Sequence, residues 1–179
     1  MIRFGAPLIV LGVSLASCSS IPLKSEIDGF TIETKVVQPK PAVTTRKTVK
    51  LANLAAAFQV QIPKTFIYAQ TNGGEFKGQP FAVYHSFSED EVDVEVGCPL
   101  KAPIIGKGDI KANPMPGGKV AMTSRFGPYQ NLGKAHVAMD AWFEKHGAER
   151  NGPPWEIYVS DPSSTAPDKV RTDVFYPIK

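Results

Sequence analysis

Residues 155–159 read WEIYV and set one carboxylate, Glu156, between a tryptophan and, two residues on, a tyrosine. A carboxylate walled by aromatic rings is poorly hydrated and gains from a cation that replaces its lost water. Each well-placed ring adds cation–π attraction of roughly 0.5–2 kcal/mol. Such a site favours flat, apolar cations over simple ions. Strand alternation puts Glu156 and Tyr158 on one face, with Trp155, Ile157 and Val159 on the other. The candidate ligand-binding residues are therefore Glu156, Tyr158 beside it, Tyr129 and Phe126 from the segment FGPY, and Tyr84 from an earlier phrase of similar wording. A plain ion pair from Glu156 to Arg171 or Arg125 is the alternative.

That earlier phrase, GQPFAVYHSFS at 78–88, parallels GPPWEIYVSDP at 152–162. Gly73, Gly78, Pro80, Phe81 and Tyr84 match Gly147, Gly152, Pro154, Trp155 and Tyr158 at a constant offset of 74 (158 − 84). Further on, Val96 and Pro99 match Val174 and Pro177 at 78 (174 − 96), and the extra residues fall in a Pro- and Ser-rich loop where insertion costs little. The chain reads as a tandem duplication of a β-β-α-β-β unit, repeat 1 over 31–103 and repeat 2 over 104–179. Tyr84 and Tyr158 recur in both copies and so also fit a role in the fold. Glu156 does not recur: Ala82 stands in its place, so packing alone does not demand a carboxylate there.

The elements that must position these residues can be read in order. Strands are expected at TIETKVV and AVTTRKTVK, then a helical stretch interrupted at Pro63 and stopped by Gly73-Gly74. PFAVYHSF and VDVEVGCPL alternate as strands. Two strands around the Pro-Gly-Gly turn at 116–118 should open repeat 2. The clearest helix follows, with Leu132, Ala135, Met139, Trp142, Phe143 and His146 at three- and four-residue steps and Gly147 closing it. Met115, Met122 and Met139 read as core filler. The fold class is α+β, an antiparallel sheet with pseudo-twofold symmetry.

With 42% hydrophobic and 21% charged residues the chain is globular, and a scattered net charge of +3 points away from a nucleic-acid partner. His85, His136 and His146 show no metal-ligand spacing, and His136 alone on a helix reads as a surface or packing residue. No metal or cofactor is called for. The N-terminal residues 1–17 combine Arg3, an apolar run and LAS, a secretory signal pattern. The ending LASC resembles the lipobox of bacterial lipoproteins. That resemblance implies acylation of Cys18, a palmitate-type membrane anchor, a tether over 18–30, and a place in the bacterial envelope, at the outer membrane facing the periplasm. Cys98 then stands alone in the mature chain and reads as a buried, inert thiol.

Residues 31–179, above all KVAMTSRFGPYQNLGKAHVAMDAWFEKHG with the aromatic-Glu-x-Tyr strand, the DP loop and the terminal TD…P, resemble the GyrI-like small-molecule-binding family, the effector-binding domain of many bacterial transcription activators. The resemblance implies two strand-helix-strand-strand modules, with a cleft on their pseudo-twofold axis and the helices packed on the sheet's other face. It also puts Glu156 at the place of a glutamate that meets the cationic part of a ligand. The first functional reading is a membrane-anchored binder of a small amphipathic, cationic or aromatic molecule. The second is a hydrolase of strained electrophiles, and the third a protein-interaction module. A regulator reading is set aside because no helix-turn-helix precedes the domain.

Overall fold

In the computed structural model, which describes residues 21 and 23–179, ten main elements follow the chain. They are β1 (Lys24–Ile27), β2 (Phe30–Val37), β3 (Ala42–Lys50), α1 (Leu54–Thr71), β4 (Phe81–Phe87), β5 (Glu91–Pro99), β6 (Gly118–Phe126), α2 (Gly133–His146), β7 (Trp155–Tyr158) and β8 (Arg171–Pro177). The strands form one antiparallel sheet in the order β1-β2-β6-β8-β7-β4-β5-β3. The modules β3-α1-β4-β5 and β6-α2-β7-β8 meet where β4 pairs with β7, and the β1–β2 hairpin extends the sheet at one edge. This is the expected α+β fold of two repeated modules.

Alternation sorts the core between the sheet's two faces. Val92, Val94 and Val96 of β5 face α1, meeting Leu54, Phe58 and Ile62. Ala121 and Val174 face α2, packed with Met139 and Trp142. The opposite face holds Phe81, Val83, Met115, Met122 and Trp155, with Trp155 stacked on Phe175 at 5.2 Å. Both helices end alike. Gly73 and Gly147 are left-handed at φ 75° and 58°, and the next residue donates to a carbonyl five back, Gly74 to Ala69 and Ala148 to Phe143. The offset of 74 (147 − 73) thus holds in three dimensions.

Four placements differ from the sequence reading. Lys24–Ile27, expected as tether, form β1, because Asp28 and Gly29 both take positive φ (48° and 78°) and close a two-residue hairpin. Of the two strands expected around Pro-Gly-Gly only β6 forms. The segment before it crosses the sheet edge on isolated bridges, Thr44 to Lys111 and Lys40 to Met115, since its prolines withhold ladder donors. Pro63 does not interrupt α1, which runs through it with Gln61, Thr65 and Ala69 buried on either side. Packing there outweighs one missing hydrogen bond. Finally, the cleft opens on the helix-bearing face itself, between α1 and α2, because Glu156 and Tyr158 point to the helices' side. The expected signal, Cys18 and its acylation lie outside the described residues.

Candidate functional site

Glu156 sits on β7 at the junction of the repeats, directly opposite Ala82 of β4. These are the offset-74 equivalents (156 − 82), so the pseudo-twofold axis passes between them. Across an antiparallel pair, side chains that face each other stand about 4.5–5.5 Å apart, and two buried carboxylates there would repel. One carboxylate is what the axis accommodates, which accounts for the unequal copies.

Glu156 is 1% exposed and its carboxylate is fully engaged on one oxygen. Tyr84 and Tyr158, equivalents from the two repeats, each donate to Oε2 at 2.8 Å, and their hydroxyls lie 3.2 Å apart. Burial, and then the nearby Glu156 charge, holds both phenols well above their ordinary pKa, so they remain donors. His136 of α2 meets Oε1 through Nε2 at 2.6 Å, and its Nδ1 lies 3.0 Å from the Tyr176 hydroxyl. Because a carboxylate oxygen only accepts, Nε2–H donates to Glu156, and the Tyr176 hydroxyl lies between His136 Nδ1 and the Asp140 carboxylate. Tyr176 is also raised, first by burial and then by Asp140. Three of about four acceptor positions of the carboxylate are used, leaving one on Oε1.

Above this floor opens a cleft of about 1740 Å³ between α1 and α2. Phe58 packs on Tyr158 with ring centroids 5.8 Å apart, and Tyr129 meets the same ring edge-on at 5.7 Å. Tyr129 is 40% exposed at the cleft mouth, its hydroxyl raised by partial burial and then by Asp161 and Glu156. Of the residues expected from sequence, Glu156, Tyr158, Tyr84 and Tyr129 converge here. Phe126, 48% exposed at the end of β6, is not among the lining residues. Arg171 does not pair with Glu156: it holds Asp173 at 2.7 Å. Cys98 is buried and its thiol is pushed up to about 11, first by burial, as expected of an inert cysteine.

His136 and Tyr176 were missed. The register held the signal: at the same offsets repeat 1 carries Ile62 (136 − 74) and Cys98 (176 − 78), so a polar pair replaces an apolar one, as Glu156 replaces Ala82. A contrasting pair calibrates this. Glu95 and Asp173 are equivalents (173 − 95 = 78), paired with Val83 and Ile157 on the face away from the cleft. Glu95 and Asp173 thus recur in both copies on the face away from the cleft, whereas Glu156 occurs in one copy and lines the cleft.

The chain belongs to the GyrI-like small molecule binding domain family, which matches residues 30–179. The fold is that of EcmrR in complex with DNA, at 18% identity and TM-score 0.77 over 84% of this chain. The chain spans 57% of that protein's length in the complex, and 98% of the isolated EcmrR C-terminal domain, also at TM-score 0.77. It is similar too to SAV2435 bound to tetraphenylphosphonium (13% identity, TM-score 0.60, 83% of this chain and 93% of the other). A hydrolase from Listeria innocua shares the fold at 13% identity and TM-score 0.57, over 83% of this chain and 91% of that one. No curated protein matches the chain.

Two expectations are corrected by these likenesses. The exclusion of nucleic acid is withdrawn, because a protein of this fold is captured with DNA. Low charge density bears only on direct contact by these residues, not on a longer chain or assembly. The envelope location is withdrawn as well. Its support was confined to residues outside the described ones, whereas one solved protein of this fold, EcmrR, is captured in a complex with DNA. Among the described residues no helix is long and apolar enough to cross a membrane.

Proposed function

We propose that the domain binds a small amphipathic molecule, cationic or aromatic, in the cleft between α1 and α2, with Glu156 as the charge that anchors it. The observation that carries this reading is the single buried carboxylate on the pseudo-twofold axis, floored by two tyrosines and open to an aromatic-walled cleft. Its remaining acceptor position suits a cationic or N–H donor, and the rings of Tyr129, Tyr158 and Phe58 suit an apolar body. Tetraphenylphosphonium, the ligand of SAV2435, supplies a ready probe.

The test is a thermal-shift titration of the full chain with tetraphenylphosphonium and with neutral triphenylmethane, wild type beside Glu156→Gln. At a hundred times Kd a ligand stabilises by about 2.7 kcal/mol, which is about 5–11 °C for a chain of this size. The expected result is a shift for the cation alone, lost in the variant. Equal shifts for both probes, or a shift indifferent to the substitution, would sink the anchoring role.

A hydrolase of strained electrophiles is the second reading, favoured by the Glu156–His136 contact, a carboxylate–imidazole pair suited to general-base work. Catalysed loss of an alkylating probe, absent in Glu156→Gln, would move it ahead.

A further inference from the structure

The two halves of the cleft differ more widely than at Glu156 alone. At offset 74 Phe66 and Phe76 correspond to Asp140 and Arg150 (140 − 66, 150 − 76). The bridges Phe76 to Leu100 and Arg150 to Ile178 confirm the register, since Leu100 and Ile178 are themselves offset-78 equivalents. In repeat 1 the two phenylalanines stack at 4.6 Å, and Phe66 lines the cleft. In repeat 2 Asp140 and Arg150 form an ion pair at the same place, the guanidinium lying 4.8 Å over the Tyr176 ring. With Ile62 against His136 and Cys98 against Tyr176, each of these polar groups of repeat 2 faces an apolar counterpart in repeat 1. The fold accepts either set, so packing does not dictate the difference.

A pseudo-symmetric cleft with one charged and one apolar end is complementary to a molecule with the same polarity along its length. Asp140 neutralises Arg150, which leaves the carboxylates of Glu156 and Asp161 facing the cleft and favours a cationic head. The volume of about 1740 Å³ exceeds the roughly 300–1,000 Å³ of ordinary small-molecule sites, room for an extended body rather than a compact one. We propose that the cleft takes a straight-chain cationic amphiphile in a single orientation, its head beside Glu156 and its aliphatic chain along α1 over Phe58, Ile62 and Phe66. This rests on the binding reading above and adds to it the shape and direction of the ligand.

The experiment is calorimetric titration of the full chain with hexyl-, octyl- and decyltrimethylammonium, all below their micelle-forming concentrations. It compares the wild type with Phe66→Asp/Phe76→Arg, which transplants a pair that the fold already carries in its other half, and with the single change Ile62→His, a milder variant of the same logic. Circular dichroism checks that each is folded. Wild-type affinity is expected to rise about four-fold per added methylene, equivalent to ~0.8 kcal/mol for a buried CH2. In both variants the increment should shrink, to below about two-fold in the double change, because a polar wall gains little from a methylene. Glu156→Gln should weaken all three probes by one factor and keep the increment. Affinity flat with chain length, an increment unchanged in the variants, or binding only above the micelle-forming concentration would overturn the proposal. If tetraphenylphosphonium still binds in a Glu156-dependent way while chain length has no effect, only the extended ligand falls. If no cation binds, the parent reading falls with it.

Discussion

Two buried carboxylates show how neighbours set what an acid does. Glu156 faces the cleft, with one acceptor position left open. Glu95, on the opposite face, is taken up by Thr44 at 2.6 Å, Asn113 at 2.8 Å and His85 at 2.8 Å. Burial alone would raise the Glu95 carboxyl, yet hydrogen bonds from Thr44, Asn113 and His85 outweigh it and hold it below its ordinary value. A depressed carboxylate stabilises the fold above its unfolded pKa, and that contribution disappears as pH falls through the lower folded value. Unfolding curves of wild type and Glu95→Gln, taken from about pH 6 to about pH 3, should therefore converge as the pH drops. A gap that stays constant across that range would show that the Glu95 charge is not what the three donors stabilise.

At the scale of elements, the strands are held where side chains cross small residues. Gly97 of β5 pairs with Phe81 of β4, whose ring lies over it. A Cβ built at Gly97 would come within 2.7 Å of both Thr44 Cγ2 and the Val43 carbonyl, and 2.9 Å of the Phe81 ring. The backbone contact cannot move aside without disturbing the β3–β5 ladder. Gly97→Ala should cost about 1–3 kcal/mol, the usual penalty of overpacking, read as a lowered urea midpoint with unchanged slope. An unaltered midpoint would mean that β3 and β5 separate more easily than their register suggests.

The whole molecule is governed by its axis. Because Ala82 and Glu156 face each other across it, the symmetric variant Ala82→Glu would set two buried carboxylates against one another while adding no donor. One must take up a proton for both to remain buried, so the new acid would titrate high. We expect a loss of about 3–5 kcal/mol at neutral pH, by analogy with leaving a buried charge unpaired. With a raised folded pKa the damage should be least at low pH and grow as pH rises through the ordinary carboxylate range. Thermal unfolding between about pH 4 and about pH 8 measures this. Stability near wild type at neutral pH would place the axis residues farther apart, or more hydrated, than the pairing implies.

The duplicated fold was legible in residues 31–179 because equivalent packing needs like residues at equivalent positions: Gly73 with Gly147, Phe81 with Trp155 and Val96 with Val174 all announced it. Glu156 was legible by the same logic reversed, as a difference that the fold did not require. The first hairpin is also written, in Asp28-Gly29. Tertiary structure alone brought His136 to Glu156 and Tyr176 to His136, since a helix and a distant strand meet there, whereas the register marked the two only as polar replacements. It also decided that the cleft lies between the helices, that Phe126 stays outside it, and that Pro63 is carried within α1. In each case the deciding contacts join residues far apart in the chain, and only the closed sheet sets their distances.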